Sequence, residues 1–177
     1  GIYSTGNNAN IGTVTGNVIG SGTGTGNIAV QANSTGAVTY GIVVTGTTVA
    51  ISNNTIGSIT LTGSTTSISH SFQGISSQGT TTLTITNNQI GSTSTANSIN
   101  ASTASTGTTS QSVQGIEVLS SNTSFTITGN TIANMNNAYA GTAVTSALQT
   151  RGIYVAFGAG SISNNTIFNI VSASANL

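Results

Sequence analysis

Apolar residues alternate with polar ones in short bursts that recur along the whole chain. Each burst opens on Gly-Ile, at Gly1-Ile2, Gly41-Ile42, Gly74-Ile75, Gly115-Ile116 and Gly152-Ile153. Two positions beyond the isoleucine stands Ser4, Val44, Ser77, Val118 or Val155, a period of two that predicts a short strand with one face inward. A second burst precedes an asparagine, at Asn17, Asn54, Asn88, Asn130 and Asn165, with Val14, Ile51, Ile85, Ile127 and Ile162 three residues before it. Two residues after the asparagine come Ile19, Ile56, Ile90, Ile132 and Ile167. Inward positions five apart cannot face one core from a straight strand, so the chain must turn at the asparagine. Asparagine suits a corner because it tolerates left-handed backbone, and its amide can hydrogen-bond to a stacked copy of itself.

The modules start near residues 1, 41, 74, 115 and 152, a spacing of 33 to 41 residues that predicts stacked coils. Stacking in register turns the recurring apolar positions into aliphatic ladders, each residue contributing roughly 1.5–3 kcal/mol on full burial. Polar stretches at about 92–112 and 136–146 read as loops, or as a third, weaker strand lengthened in some coils, and explain the uneven spacing. Hairpins lack their strongest signals, since Asn-Gly, Asp-Gly and Gly-Gly are all absent. Helices are disfavoured by the abundance of Ser, Thr, Gly and Asn. The expected fold is all-β, a parallel β-helix (solenoid) of about five coils with roughly 35 residues per coil, in one segment spanning 1–177. The chain starts on the first residue of a module and stops about where a sixth Gly-Ile would fall, the phasing expected of a piece of a longer repetitive chain.

Charge changes the picture more than length does. Arg151 is the one basic side chain, Glu117 the one acidic, His70 the one histidine, and cysteine is absent. Surfaces ordinarily carry about a quarter charged residues for solubility, so a chain this bare is expected to associate with itself. Without a basic patch there is no counterion release to attract nucleic acid. Without clustered acids, thiols or imidazoles no metal or cofactor is expected. No stretch reaches the 18 or so apolar residues of a membrane span, and any export signal would lie upstream. Glycoside hydrolysis needs two carboxylates, and no Gly-x-Ser-x-Gly elbow is present, so no enzyme is expected. His70, in the alternating stretch 68–72, reads as an outward strand residue. Glu117 and Arg151 differ by three repeat positions, roughly 10 Å along a strand, so an ion pair is not forced. Asn33, Asn53, Asn100, Asn122 and Asn164 head Asn-x-Ser/Thr triplets, which arise by chance in so hydroxyl-rich a chain.

The strings ISNNTIGSI, ITNNQIGS, ITGNTIANM and ISNNTIFNI resemble the parallel β-helix repeat, and the likeness covers essentially the whole chain. It is closest in character to very long secreted repeat proteins of Bacteroidota-type bacteria. That resemblance implies a right-handed β-helix, an extracellular or cell-surface location, and an adhesive or filament-forming role. Some β-helix relatives act on polysaccharides through clustered Asp, Arg or Lys, but this chain has no Asp and no Lys. The expected function is therefore a self-assembling extracellular filament, sheath or adhesin stalk, whose partners are further copies of itself and cell-surface glycans. An alternative rests on outward residues beside the second strand's apolar position: Thr13 and Thr15, Ala50 and Ser52, Thr84 and Thr86, Thr126 and Thr128, Ser161 and Ser163. Their Thr-x-Thr-like grid resembles the ice-binding face of some β-solenoid antifreeze proteins. A third reading, a carbohydrate-binding or carbohydrate-active β-helix, draws on Tyr3 and Tyr154 at equivalent outward positions and on Tyr139, Phe157 and Phe168.

Overall fold

Three or four short strands per coil, each lying in register over its counterpart in the next coil, build three parallel sheets. The computed structural model describes residues 1–120, 124–141 and 150–173, and among the described residues every regular element is a strand. The first sheet stacks Ile2–Ser4, Ala37–Val44, His70–Ser77, Val113–Val118 and Thr150–Val155 in that order. The second stacks Asn8–Ile11, Thr48–Ser52, Thr82–Thr86, Ser124–Thr128 and Ala159–Ser163. The third bends partway. It is split into Val18–Gly20 and Ile28–Ala32, then Thr55–Gly57 and Ile59–Gly63, then Gln89–Ile90 and Ile99–Ala101. In the last two coils it runs unbroken, as Thr131–Asn137 and Thr166–Ser172. The chain is a parallel β-solenoid, five rungs deep in its first two sheets.

Register makes the core. In the first sheet Ile2, Ile42, Ile75, Ile116 and Ile153 pair in one column. In the third, Ile19, Ile56, Ile90, Ile132 and Ile167 pair in another. Members of the middle coils are fully buried, among them Ile42, Ile75, Ile116, Ile56, Ile90 and Ile132. β-Branched side chains suit this stacking because each sits on the same group one rung below.

The second-sheet column differs from the sequence expectation in its first coil. Ile11, not Val14, pairs with Ile51, which continues through Ile85 and Ile127 to Ile162. Val14 is 96% exposed, in a turn. Ile11 aligns with Ile51 while Asn17 aligns with Asn54, so the first coil carries three extra residues before its corner. Counting back from Asn17 therefore lands inside the insertion.

Each module's glycine breaks the alternation. A Cβ on Gly74 would lie 2.9 Å from Ile90 Cγ2 and 2.6 Å from the Gly115 carbonyl oxygen, and Gly41, Gly115 and Gly152 crowd Ile56, Ile132 and Ile167 in the same way. The glycine and the isoleucine after it thus both face the core. The residues flanking this pair face outward, which places Tyr40, Gln73, Gln114 and Arg151 in one outer column and Tyr3, Val43, Ser76, Glu117 and Tyr154 in the next.

Coil lengths vary in loops, as the polar stretches suggested. Residues 21–27 and 91–98 are inserted at the bend of the third sheet, and Gly24 N donates to Thr95 Oγ1 at 3.2 Å across the intervening second coil. Residues 102–112 follow Ile99–Ala101 and are pinned by Gln111, whose Nε2 donates to Ala101 O, Thr103 O and Asn137 Oδ1 at 3.0–3.2 Å. Tyr139 is fully buried with its hydroxyl donating to Gly107 O at 2.7 Å, so it belongs to the interior and not to an aromatic face. Part of the 136–146 interval lies outside the described residues, as does Asn122.

Candidate functional site

Asn17, Asn54, Asn88, Asn130 and Asn165 form one continuous ladder along the axis. Backbone N and side-chain Nδ2 of each donate to Oδ1 of the next, from Asn17 to Asn54 at 3.0 and 2.8 Å, and from Asn54 to Asn88 at 3.0 and 2.9 Å. Asn88 donates to Asn130 at 3.0 Å twice, and Asn130 to Asn165 at 2.9 Å twice. Nδ2 also reaches the carbonyl of the core isoleucine one coil back: Ile11 from Asn54, Ile51 from Asn88, Ile85 from Asn130 and Ile127 from Asn165. Every group that must leave water at this corner has a partner, which is why Asn54, Asn88 and Asn130 can be buried. The ladder is polar in direction: each backbone N–H faces the later coil and each Oδ1 the earlier one.

The sequence reading gave one residue two jobs that the chain divides. The left-handed backbone belongs to the residue before the ladder, at Asn53 (φ 60), Asn87 (φ 55), Gly129 (φ 68) and Asn164 (φ 55), while the ladder asparagine supplies the amide. Two of the triplet-heading asparagines, Asn53 and Asn164, are such corner residues.

A second polar column at the bend of the third sheet escaped the sequence reading. Asn27 N donates to Ser58 Oγ at 3.1 Å, Ser58 N donates to Ser98 Oγ at 3.0 Å, and Asn169 Nδ2 donates to Asn134 Oδ1. Ser58, Asn134 and Asn169 take left-handed φ. The signal was a polar residue directly before Ile28, Ile59, Ile99, Met135 and Ile170, obscured because serine and asparagine share the role and loops separate it from the first ladder by varying lengths.

On the outer face of the first sheet the two charged side chains occupy neighbouring columns of adjacent coils. Glu117 is 4% exposed; Ser76 Oγ donates to its Oε2 at 3.2 Å, and the Arg151 guanidinium lies 4.0 Å over the Tyr154 ring. Burial lifts the Glu117 carboxyl above its ordinary value, opposed by hydrogen bonds to Ser76 and Gln114 and by the positive charge of Arg151. Beside it Gln73 Oε1, Gln114 Oε1 and Arg151 Nη1 are buried without a hydrogen-bond partner. Further along the same face an open cleft of about 420 Å³ is lined by Gly1, Ile2, Tyr3, Tyr40, Val43 and Gln78.

His70 is buried, contrary to the outward expectation. It starts its strand where the third sheet ends, so Nδ1 meets the Thr62 carbonyl at 3.1 Å and Nε2 the Thr39 hydroxyl at 2.9 Å. A carbonyl only accepts, so Nδ1 carries the hydrogen. Gln111 Oε1 covers its backbone nitrogen at 3.0 Å.

The outer face of the second sheet is hydroxyl-rich. Its columns are Thr48, Thr82 and Ser124; then Ala50, Thr84, Thr126 and Ser161; then Ser52, Thr86, Thr128 and Ser163. Thr13 and Thr15 are not part of it, because they lie in the same three-residue insertion as Val14; Asn10 pairs with Ala50 where Thr13 was expected, and Asn8 heads the Thr48 column.

Among the described residues no group of three or more His, Cys, Asp or Glu assembles to hold a metal, and no helix is long and apolar enough to cross a membrane. No family model, curated protein or solved structure matches the chain.

Proposed function

We propose that this solenoid is a structural segment that extends by adding coils end to end, as an extracellular filament, sheath or adhesin stalk. The observation that carries the reading is the last coil. Ile162 and Ile167 are 51% and 46% exposed, whereas Ile127 and Ile132, one rung earlier in the same columns, are fully buried. Phe168 and Val171 beside them are also exposed. Such a surface is covered by one more coil, from the same chain or another copy.

The ladder's direction supports this. Asn165 presents its backbone N–H toward a following coil, and Asn17 presents Oδ1 toward a preceding one, so the two ends are complementary. Two charges in the whole chain offer little repulsion to oppose contact. The extracellular setting rests on the resemblance to long secreted repeat proteins of Bacteroidota-type bacteria. The role is non-catalytic in this reading: the hydrogen bonds of His70 and Glu117 serve packing. For an adhesin stalk, cell-surface glycans are the natural partner, and the cleft beside Tyr3 and Tyr40 offers them aromatic rings.

Electron microscopy with an axial power spectrum tests the proposal. Fibres with a meridional repeat near 4.8 Å and a longer one near 24 Å, five strand spacings, are expected. Short isolated rods at every concentration would reject it.

A further inference from the structure

We infer that the outer face of the second sheet is a binding surface for ordered water, engaging ice through its threonine array. The argument is independent of how the ends are covered, because the face is lateral and its best rungs are internal. Thr82, Thr84 and Thr86 form one complete row, and Ser124, Thr126 and Thr128 the row above it. Core residues Leu83, Ile85, Phe125 and Ile127 alternate with them and anchor both rows from below.

Three features favour a lattice over a flexible ligand. The first is spacing: rows repeat at about 4.8 Å and positions along a strand at nearly 7 Å, a two-dimensional grid fixed by backbone hydrogen bonds. The second is stiffness. Threonine is β-branched and restricted at χ1, so methyl and hydroxyl are held in place along the Thr82, Thr84 and Thr86 row and at Thr126 and Thr128 beside it. In the third column the hydroxyls also bond to one another, Ser52 to Thr86 at 2.8 Å and Ser163 to Thr128 at 3.1 Å. The third is chemistry. No ionic group stands on this face to impose its own hydration, since Glu117 and Arg151 both lie on the first sheet. A grid of alternating methyls and hydroxyls holds water between apolar patches in the repeat of the protein.

Thermal hysteresis and uptake into a growing ice hemisphere test the inference, with sedimentation run on the same samples. The expected result is measurable hysteresis and enrichment in ice for the wild type. Both should fall to baseline in Thr84→Lys and in Thr126→Lys, and remain in Asn33→Lys, which places the same charge on an exposed turn elsewhere. Circular dichroism of the variants checks that the fold is retained. Absence of hysteresis and ice uptake in the wild type overturns the inference, as does full activity in both threonine variants. Ice binding by a species that sediments as a monomer would uphold this surface while rejecting end-to-end assembly.

Discussion

Backbone N and side-chain Nδ2 of Asn88 both donate to a single oxygen, Oδ1 of Asn130, at 3.0 Å each. One acceptor thus satisfies two buried donors and ties the third coil to the fourth at the corner. Replacing Asn88 by Ala keeps the backbone bond but removes the Nδ2 one, together with the Oδ1 that accepts from both Asn54 N and Asn54 Nδ2. The expected loss is on the order of 3 kcal/mol, because buried donors are left unpaired. Asn17→Ala, at the exposed end of the same ladder, should cost less than about 1 kcal/mol. Urea unfolding of both variants decides; equal losses would mean that the ladder is not what holds the corner.

Gly74→Ala places a methyl against Ile90 and the Gly115 carbonyl, with no room for either to retreat inside the stack. A loss of about 1–3 kcal/mol is expected from overpacking. Gly152→Ala makes a similar contact with Ile167, which is about half exposed and can move. Its melting temperature should fall less than that of Gly74→Ala.

Ser77 sits in a core column between Val44 and Val118, fully buried, with its hydroxyl unpaired. Ser77→Val exchanges that hydroxyl for apolar surface and makes the column continuous from Val44 to Val155. Stability should rise by about 1 kcal/mol. A drop in calorimetric Tm would show that the hydroxyl has a use the packing does not reveal.

Glu117 makes stability depend on pH. Its folded carboxyl titrates above the ordinary value of 4.5, because burial penalises the charge. The folded state therefore holds its proton more tightly than the unfolded chain does. That contribution is fully present below the unfolded value and is lost as pH rises through the folded one. Melting temperature should fall as pH rises above 4.5, and Glu117→Gln should flatten the profile. An unchanged slope in the variant would point to another titrating group.

End-to-end assembly has a covalent readout, because the chain lacks cysteine. Val18 and Thr166 are exposed and occupy the same column in the first and last coils. In a head-to-tail stack they would lie about one strand spacing apart, within disulfide range. Mixing Val18→Cys with Thr166→Cys under mild oxidation should give the mixed dimer in preference to either homodimer. Dominant homodimers would establish association of the wrong polarity.

What the sequence revealed followed from how strictly each feature repeats. Gly-Ile and the ladder asparagines recur with nearly invariant chemistry, so the stacking columns through Ile42 and Asn88 were readable from spacing alone. Val14 was misplaced because a fixed count was carried across an insertion, although the alternation Ala9, Ile11 marked the true strand. His70 looked outward by local alternation, and its burial depends on Gln111, forty-one residues later. The column through Ser58 and Asn134 was hidden because two residue types perform one task. Local periodicity therefore reveals strands and stacking, whereas whatever loops cover depends on contacts that no period encodes.

The bond from Gly24 to Thr95 bears on how the molecule opens. In a simple solenoid each coil touches only its immediate neighbours, and the terminal coil can peel away one rung at a time. Here the first coil grips the third over the top of the second, and Gln89 Nε2 adds a bond to Gly22 O at 3.3 Å. Fraying must then release three rungs as one cooperative unit. Amide hydrogens of the first coil's third strand should accordingly exchange on the slow timescale of the third coil, and this end of the stack should resist unravelling more firmly than the other.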